Sequence, residues 1–130
     1  MTFYSTNNSA NIVSVPEALF NSLPQDKGLY MPTSIPQLPV GFMDGIAKQS
    51  LVEIAYKLTK LWLHEDLTNA QIEQLVTQAF PFDTPLVELE AGRKYVLELF
   101  HGPSLAFKDV GARFMAGLMS IYSATQSREV

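Results

Sequence analysis

The chain has 130 residues, 47% of them hydrophobic and 17% charged, a composition typical of one modest folded domain rather than a disordered segment. A formal net charge of −4 without a basic cluster argues against nucleic acid and anionic membranes as partners, and the lack of cysteine excludes disulfides and thiolate metal sites. With two histidines, no apolar run near the ~20 residues that cross a bilayer, and no signal pattern at its start, the sequence predicts a soluble cytoplasmic protein without a metal.

The first part of the chain predicts short strands and one short helix. Residues 3–6 and 29–31 favour strands. Ser14 and Glu17 have the spacing of a capping box, in which each side chain bonds the backbone N–H of the other, and the helix is predicted to run to about residue 23. Three prolines within residues 32–41 predict an extended connection.

Two longer amphipathic helices follow. A second capping box, Ser50 with Glu53, opens a helix to about Leu63, and a third at Thr68 opens a helix that stops before Pro81. The residues predicted to face inward are Leu51, Ile54, Ala55, Leu58, Leu61 and Trp62 in the first of these helices, and Ile72, Leu75, Val76 and Ala79 in the second. Both helices are explained as packing elements.

A hairpin and a strand-to-helix junction come next. Residues 86–89 and 95–100 are strand-like and could pair, and the second run has a single charge, which predicts burial. Residues 101–104 form the junction, at a position where α/β folds commonly bind ligands. Because a parallel strand–helix unit needs its next strand, we expect an amino-terminal piece of a longer protein, with a complete small α+β domain as the alternative.

Lys108 stands at the start of the last helix, whose residues 114–122 carry no charge. A helix that is apolar all round is normally buried, so Lys108 is expected near the interior, beside the positive end of the helix dipole. Partial desolvation and the dipole both favour the neutral amine, which is the form that reacts with carbonyl compounds such as pyridoxal phosphate. From these residues alone Lys108 is a candidate, and a solvated lysine at a helix end is the alternative.

The neighbours of Lys108 have simpler interpretations. Asp109 is expected in the first helical turn, paired with Arg113 four residues later. Ser104 is expected to cap the helix, and His101 is either a contact of the site or a structural hydrogen-bond donor. The two helix glycines, Gly111 and Gly117, predict close helix packing.

The segment from Leu97 to Met115 begins LELFHGPSLAFKD and resembles the cofactor-lysine segment of the threonine synthase family, whose pattern is LELFHGPTLAFKD. Ser104 replaces the usual threonine and retains the hydroxyl. The shorter stretches at residues 3–6 and 28–32 also look like the amino-terminal region of that family. The resemblance covers essentially the whole chain, and its specificity lies in the segment around Lys108.

This resemblance implies an α/β protein that is α+β over the present length. Residues 1–84 would form an amino-terminal domain, and residues 85–130 would begin a pyridoxal-phosphate-binding domain of the tryptophan-synthase-β-like fold type II. The family converts O-phosphohomoserine and water to threonine and phosphate. Lys108 would be its Schiff-base lysine and a general base, and Ser104 and Phe107 would be further cofactor contacts.

The resemblance also sets expectations for the isolated chain. The glycine-rich phosphate loop of the family lies downstream of residue 130, so we expect these residues alone to hold the cofactor weakly and to be inactive. An exposed apolar face on the last helix would favour self-association. The alternative function is a non-catalytic interaction or regulatory domain that retains the motif.

Overall fold

The computed structural model describes residues 1–126, so the last four residues of the predicted second domain, 127–130, lie outside it. A small antiparallel sheet begins the fold, with the strands β1 (Thr2–Ser5), β2 (Ile12–Ser14) and β3 (Tyr30–Pro32). The strands lie in the order β2–β1–β3. The predictions of β1 and β3 are confirmed. Strand β2 was not predicted, because its three residues run directly into the first capping box and are too short to show an alternating pattern.

A hydrogen-bonded turn ties the end of β1 to the start of β3. The hydroxyl of Ser5, which is fully buried, donates to Oδ1 of Asp26 over 2.7 Å, and the N–H of Gly28 donates to the same oxygen over 3.0 Å. A Cβ at Gly28 would overlap the Ser5 hydroxyl, so only glycine fits at this position. We call Asp26, Ser5 and Gly28 the Asp26 clamp.

All three predicted capping boxes are formed, with the hydroxyl and the longer side chain each accepting a backbone N–H. They open α1 (Val15–Asn21, Ser14 with Glu17), α2 (Leu51–Leu63, Ser50 with Glu53) and α3 (Asn69–Ala79, Thr68 with Gln71). The extended connection predicted for residues 32–41 is confirmed for most of its length, except that Pro32 ends β3. Residues 40–45 form turns, and a single 3₁₀ turn at Ile46–Lys48 precedes α2.

Helix α3 lies at the centre of the core, between α2 and the last helix, α4 (Lys108–Gln126). Its four predicted inward residues are buried, each 2% exposed or less. The prediction for α2 was wrong in part, since Thr59 and Leu63 are buried whereas Leu58 is 36% exposed. The apolar side chains of α2 cover a broad arc opposite Glu53, Lys57 and Lys60, so the sequence pattern alone could not select which part of that arc meets α3.

The predicted hairpin is confirmed as β4 (Leu86–Glu90) and β5 (Lys94–Leu97), paired antiparallel. The prediction that its second strand is buried was wrong, because Tyr95 is 52% and Leu97 55% exposed. Within residues 1–126 the two strands pair only with each other, and the hairpin does not extend the amino-terminal sheet. The apolar run therefore has nothing to cover it in this part of the chain.

Helix α4 packs on α3 through one face only. Leu118 and Tyr122 are buried in the core, whereas Met115 is 50% exposed, so the prediction of a helix buried all round was wrong for the described residues. A Cβ added at Gly117 would come within 2.6 Å of Cδ1 of Leu75, which confirms close packing there. At Gly111 the same atom would meet nothing within 4 Å, so that prediction was wrong.

The described residues therefore form a mixed helix-and-strand structure with two separate antiparallel sheets. In residues 1–126 we find no helix with the length and apolar character needed to span a membrane. Both ends of the chain contribute to one core, since Val15 and Tyr122 belong to the same cluster of buried residues. The division at residues 84 and 85 remains a prediction.

Candidate active site

Lys108 is the first residue of α4, and its side chain is exposed. The residues before it are exposed as well, Leu105 by 75% and Phe107 by 66%. The expected desolvation of Lys108 is therefore not provided by residues 1–126. Phe107 is therefore not a core residue of this part of the chain.

Two tight turns lead the chain into α4. The N–H of Leu105 donates to the carbonyl oxygen of Gly102 over 3.0 Å, and the N–H of Asp109 donates to that of Ala106 over 3.1 Å. Leu105 has a φ of 57°, in the left-handed region that residues with a branched side chain seldom occupy. Because this conformation is unfavourable in itself, contacts elsewhere in the loop must hold it.

A buried carboxylate supplies those contacts. Asp109 is only 9% exposed, and it accepts the backbone N–H of Ser104 at Oδ2 and the Ser104 hydroxyl at Oδ1, each over 2.8 Å. Gly102 lies against it so closely that an added Cβ would come within 2.7 Å of the Cβ of Asp109. We call Asp109, Ser104 and Gly102 the Asp109 clamp.

The Asp109 clamp corrects two predictions. The pair between Asp109 and Arg113 was wrong, because the carboxylate faces backward to Ser104 and the guanidinium bonds carbonyl groups of α3. The cap by Ser104 was wrong too, because its hydroxyl donates to the carboxylate instead of accepting a helix N–H. The contact between Asp109 and Ser104 was missed at the sequence level, because a serine five residues before an aspartate does not by itself indicate a loop contact.

The start of α4 is also fixed to the core. Arg113 donates from Nε to the carbonyl oxygen of Ala79 over 3.2 Å and from Nη2 to that of Gln78 over 2.7 Å. One residue further on, the ring of Phe114 stacks on Phe80 with the centroids 6.3 Å apart. The backbone of Lys108 is thus held from two sides, by the Asp109 clamp before it and by α3 after it.

His101 has its own partner within the loop. Its Nε2 lies 2.7 Å from Oε2 of Glu98, and its ring stacks on Phe100 with centroids 4.8 Å apart. Both contacts are local, and they fit the structural interpretation of this histidine.

The residues around Lys108 fit the covalent attachment of an aldehyde cofactor. Within residues 1–126 the Lys108 amine forms no ion pair or hydrogen bond, and the adjacent Asp109 carboxylate is engaged by Ser104. An exposed amine without a carboxylate partner is able to form an imine. The Ser104 hydroxyl already gives its proton to Asp109, so donation to a cofactor phosphate would require that bond to break.

The comparisons with known proteins agree on one family. The family model described as "Threonine synthase N terminus" matches residues 2–80. Threonine synthase from Schizosaccharomyces pombe is 34% identical over 128 residues, covering 94% of this chain and 25% of that protein. The Haemophilus influenzae threonine synthase is 38% identical over 116 residues, covering 89% and 27% respectively.

Solved structures give the same result. Threonine synthase from Escherichia coli matches with a TM-score of 0.88 and 31% identity, over 95% of this chain and 28% of that one. PLP-bound threonine synthase from Brucella melitensis matches with a TM-score of 0.90 and 34% identity, over 99% and 29%. This chain spans about a quarter of the length of the curated relatives. The family model covers more than half of the chain, and we conclude that the chain belongs to the threonine synthase family, in which it corresponds to the amino-terminal region.

Proposed function

We propose that this chain is the amino-terminal part of a threonine synthase that acts in the cytoplasm and converts O-phospho-L-homoserine and water to L-threonine and phosphate. Pyridoxal phosphate is its cofactor, and Lys108 is the Schiff-base lysine. The observation that carries the proposal is the exposed, unpaired amine of Lys108, in a segment that matches the family pattern. The likeness to a PLP-bound threonine synthase over 99% of the chain supports it.

Lys108 has two tasks in this proposal. Its Nζ holds the cofactor covalently, and as a free amine it accepts the proton from the α carbon of the substrate. The cofactor, when bound, supplies the electron withdrawal that makes this proton acidic. Phe107, whose ring is exposed beside the lysine, provides an apolar wall that keeps water from the reacting atoms.

The remaining parts of the site belong to the polypeptide beyond this chain. We propose that residues 85–130 begin a domain of fold type II and that the loop binding the cofactor phosphate follows it. The exposed apolar side chains Leu97, Phe100 and Leu105 are consistent with a surface that further polypeptide covers. On its own the chain should neither bind the cofactor tightly nor catalyse the reaction.

Replacement of the lysine in the full-length protein tests the proposal. Lys108→Ala should abolish threonine formation and the visible absorbance of bound cofactor. After reduction with borohydride, the wild-type peptide containing Lys108 should carry the mass of the cofactor. Lys60→Ala, on the exposed face of α2, is the control and should behave as wild type in all three measurements.

Two results would contradict the proposal. Full threonine formation by Lys108→Ala would favour the non-catalytic alternative for this segment. Tight cofactor binding and turnover by residues 1–130 alone would show that the phosphate loop downstream is not needed.

A further inference from the structure

We propose that Asp109 is a positioning residue for Lys108. Its carboxylate fixes the direction in which the lysine leaves the first turn of α4, and it does so through the Asp109 clamp. The inference rests on the proposed function of Lys108 and adds a second residue to the site.

The carboxylate of Asp109 is buried. A carboxylate that is 9% exposed is costly unless strong hydrogen bonds replace its lost hydration. Asp109 obtains two such bonds, both from Ser104, and charge-assisted bonds of this kind are roughly twice as strong as neutral ones. The carboxylate and the loop are therefore held in one arrangement, with Gly102 leaving the space for it.

The direction of the Lys108 side chain follows from that of Asp109. Successive side chains of an α-helix point about 100° apart, so fixing one of them fixes its neighbour. Asp109 points back over the loop, and Lys108 is consequently directed away from it, into the open. Leu105, with its left-handed backbone conformation, lies between Ser104 and Asp109, the two residues that the hydrogen bonds of the clamp join.

The Asp109 clamp also affects the charge next to Lys108. A carboxylate next to a lysine in sequence can form an ion pair with it and favour the ammonium form. Here both carboxylate oxygens receive hydrogen bonds from Ser104, and the amine has no partner within residues 1–126. The clamp thus orients Lys108 and also engages the Asp109 carboxylate, so that it forms no direct ion pair with the lysine amine.

The Asp26 clamp offers a matched control. It too joins an aspartate to a serine hydroxyl and a backbone N–H, has a glycine that tolerates no Cβ, and has a lysine adjacent to the aspartate, Lys27. It lies at the amino-terminal sheet, and nothing assigns it to the site.

The experiment compares Asp109→Ala, Asp109→Asn and Asp26→Ala in the full-length protein. Asp109→Ala should lower kcat about 100-fold, with a smaller effect on KM. This is the loss expected when a catalytic group is displaced by about 1 Å. Asp109→Asn should have a kcat at least about tenfold higher than that of Asp109→Ala. The amide oxygen can accept the Ser104 N–H, and the amide NH₂ can donate to the serine hydroxyl, which then acts as the acceptor. Asp26→Ala should lower thermal stability and leave kcat within about threefold of wild type.

Two readouts are independent of activity. Amide hydrogen exchange of Ser104 and Leu105 in the cofactor-free protein should become faster in Asp109→Ala and stay unchanged in Asp26→Ala. Borohydride trapping of pyridoxal phosphate on Lys108, followed by peptide mass, should also be slower in Asp109→Ala. If that variant does not fold, Ser104→Ala removes the hydroxyl bond alone and should show the same changes at smaller size.

The inference would be overturned if Asp109→Ala kept wild-type exchange in the loop and wild-type kcat, or if Asp26→Ala lost as much activity as Asp109→Ala. Failure of the proposed function gives a different result, because Lys108→Ala would then keep both wild-type turnover and the visible absorbance of bound cofactor.

Discussion

The guanidinium of Arg113 donates to the carbonyl oxygen of Gln78 over 2.7 Å, so the second turn of α4 completes the last turn of α3. A second bond, from Nε to Ala79, lies beside it. The last carbonyl groups of a helix have no partner within the helix and form the negative end of its dipole. A planar cation that reaches two of them at once is therefore well suited to this position.

Arg113→Ala should lower the free energy of unfolding of this chain by about 2 kcal/mol, because two charge-assisted hydrogen bonds are lost. Arg113→Lys should recover less than half, since an ammonium group cannot fork between two carbonyl oxygens. Denaturation with urea measures both. The control is Arg93→Ala, whose side chain is 78% exposed on the hairpin, with an expected change below about 0.5 kcal/mol. Equal effects of Arg113→Ala and Arg93→Ala would contradict the assignment.

The two glycines of α4 should respond oppositely to alanine. Gly111→Ala places a methyl group where nothing lies within 4 Å and should stabilise the helix by about 1 kcal/mol. Gly117→Ala gains the same helix propensity but forces its methyl group against Leu75, which is 2% exposed and has little room to move. Overpacking of this kind costs about 1–3 kcal/mol, so this variant should be no more stable than wild type. Urea denaturation of the pair decides, and equal stabilisation by both would contradict the packing.

Tyr122 should make the fold sensitive to alkali. Burial of its hydroxyl, together with the charge of Asp66, raises the pKa of Tyr122 from 10.0 to about 12. Since the neutral phenol is favoured in the folded state, this contribution is complete below pH 10 and is lost as the pH rises through about 12. Unfolding free energies measured across this range should fall less steeply for Tyr122→Phe than for wild type.

The same variant tests the unpaired hydroxyl. The oxygen of Tyr122 is buried and has no hydrogen-bond partner among the described residues. Its removal at pH 7 should therefore leave stability unchanged or raise it slightly. A loss of more than about 1 kcal/mol would show that the hydroxyl has a partner in solution.

Glu53 should contribute a dependence on acid. The backbone N–H and the hydroxyl of Ser50, with a smaller effect of Lys57, lower the pKa of Glu53 below its ordinary value of 4.5. The resulting stabilisation is present above pH 4.5 and is lost as the pH falls through the lower value of the folded state. Glu53→Gln should keep the capping box and reduce the acid dependence of unfolding, measured by circular dichroism from about pH 7 to about pH 3. Gln71 already performs this role without charge at the start of α3. An unchanged acid dependence in Glu53→Gln would contradict the contribution of the Glu53 carboxylate to stability.

The local parts of the fold could be predicted from the sequence because their causes are local. Each capping box needs two residues three apart, and all three were found. The inward face of α3 was predicted because its apolar residues, among them Ile72 and Val76, occupy a single stripe. The apolar arc of α2 is broader, and only its contact with α3 selects Thr59 and Leu63 for burial.

The site was predicted in part for the same reason. The motif around Lys108 is contiguous, so the resemblance selected this lysine as a candidate without knowledge of the fold. The burial of Asp109 and the contacts of Arg113 depend on a loop conformation and on a helix 34 residues earlier in the chain, and no local pattern specifies either. The exposure of the hairpin was missed because an apolar strand pattern predicts burial. The pattern does not say whether the covering residues lie within this part of the chain.

The hairpin connects the chain to Lys108, but other elements hold Lys108 in place. Strands β4 and β5 are the only covalent route from α3 to α4, yet within residues 1–126 they pair solely with each other. Leu118 and Gly117, by contrast, hold α4 directly against the core around Leu75. A single cut in the turn at Gly92 would therefore leave α4 seated on α3, and insertions in this turn would be tolerated without displacing the lysine. Within the described residues, Lys108 is therefore held in place through the helical core.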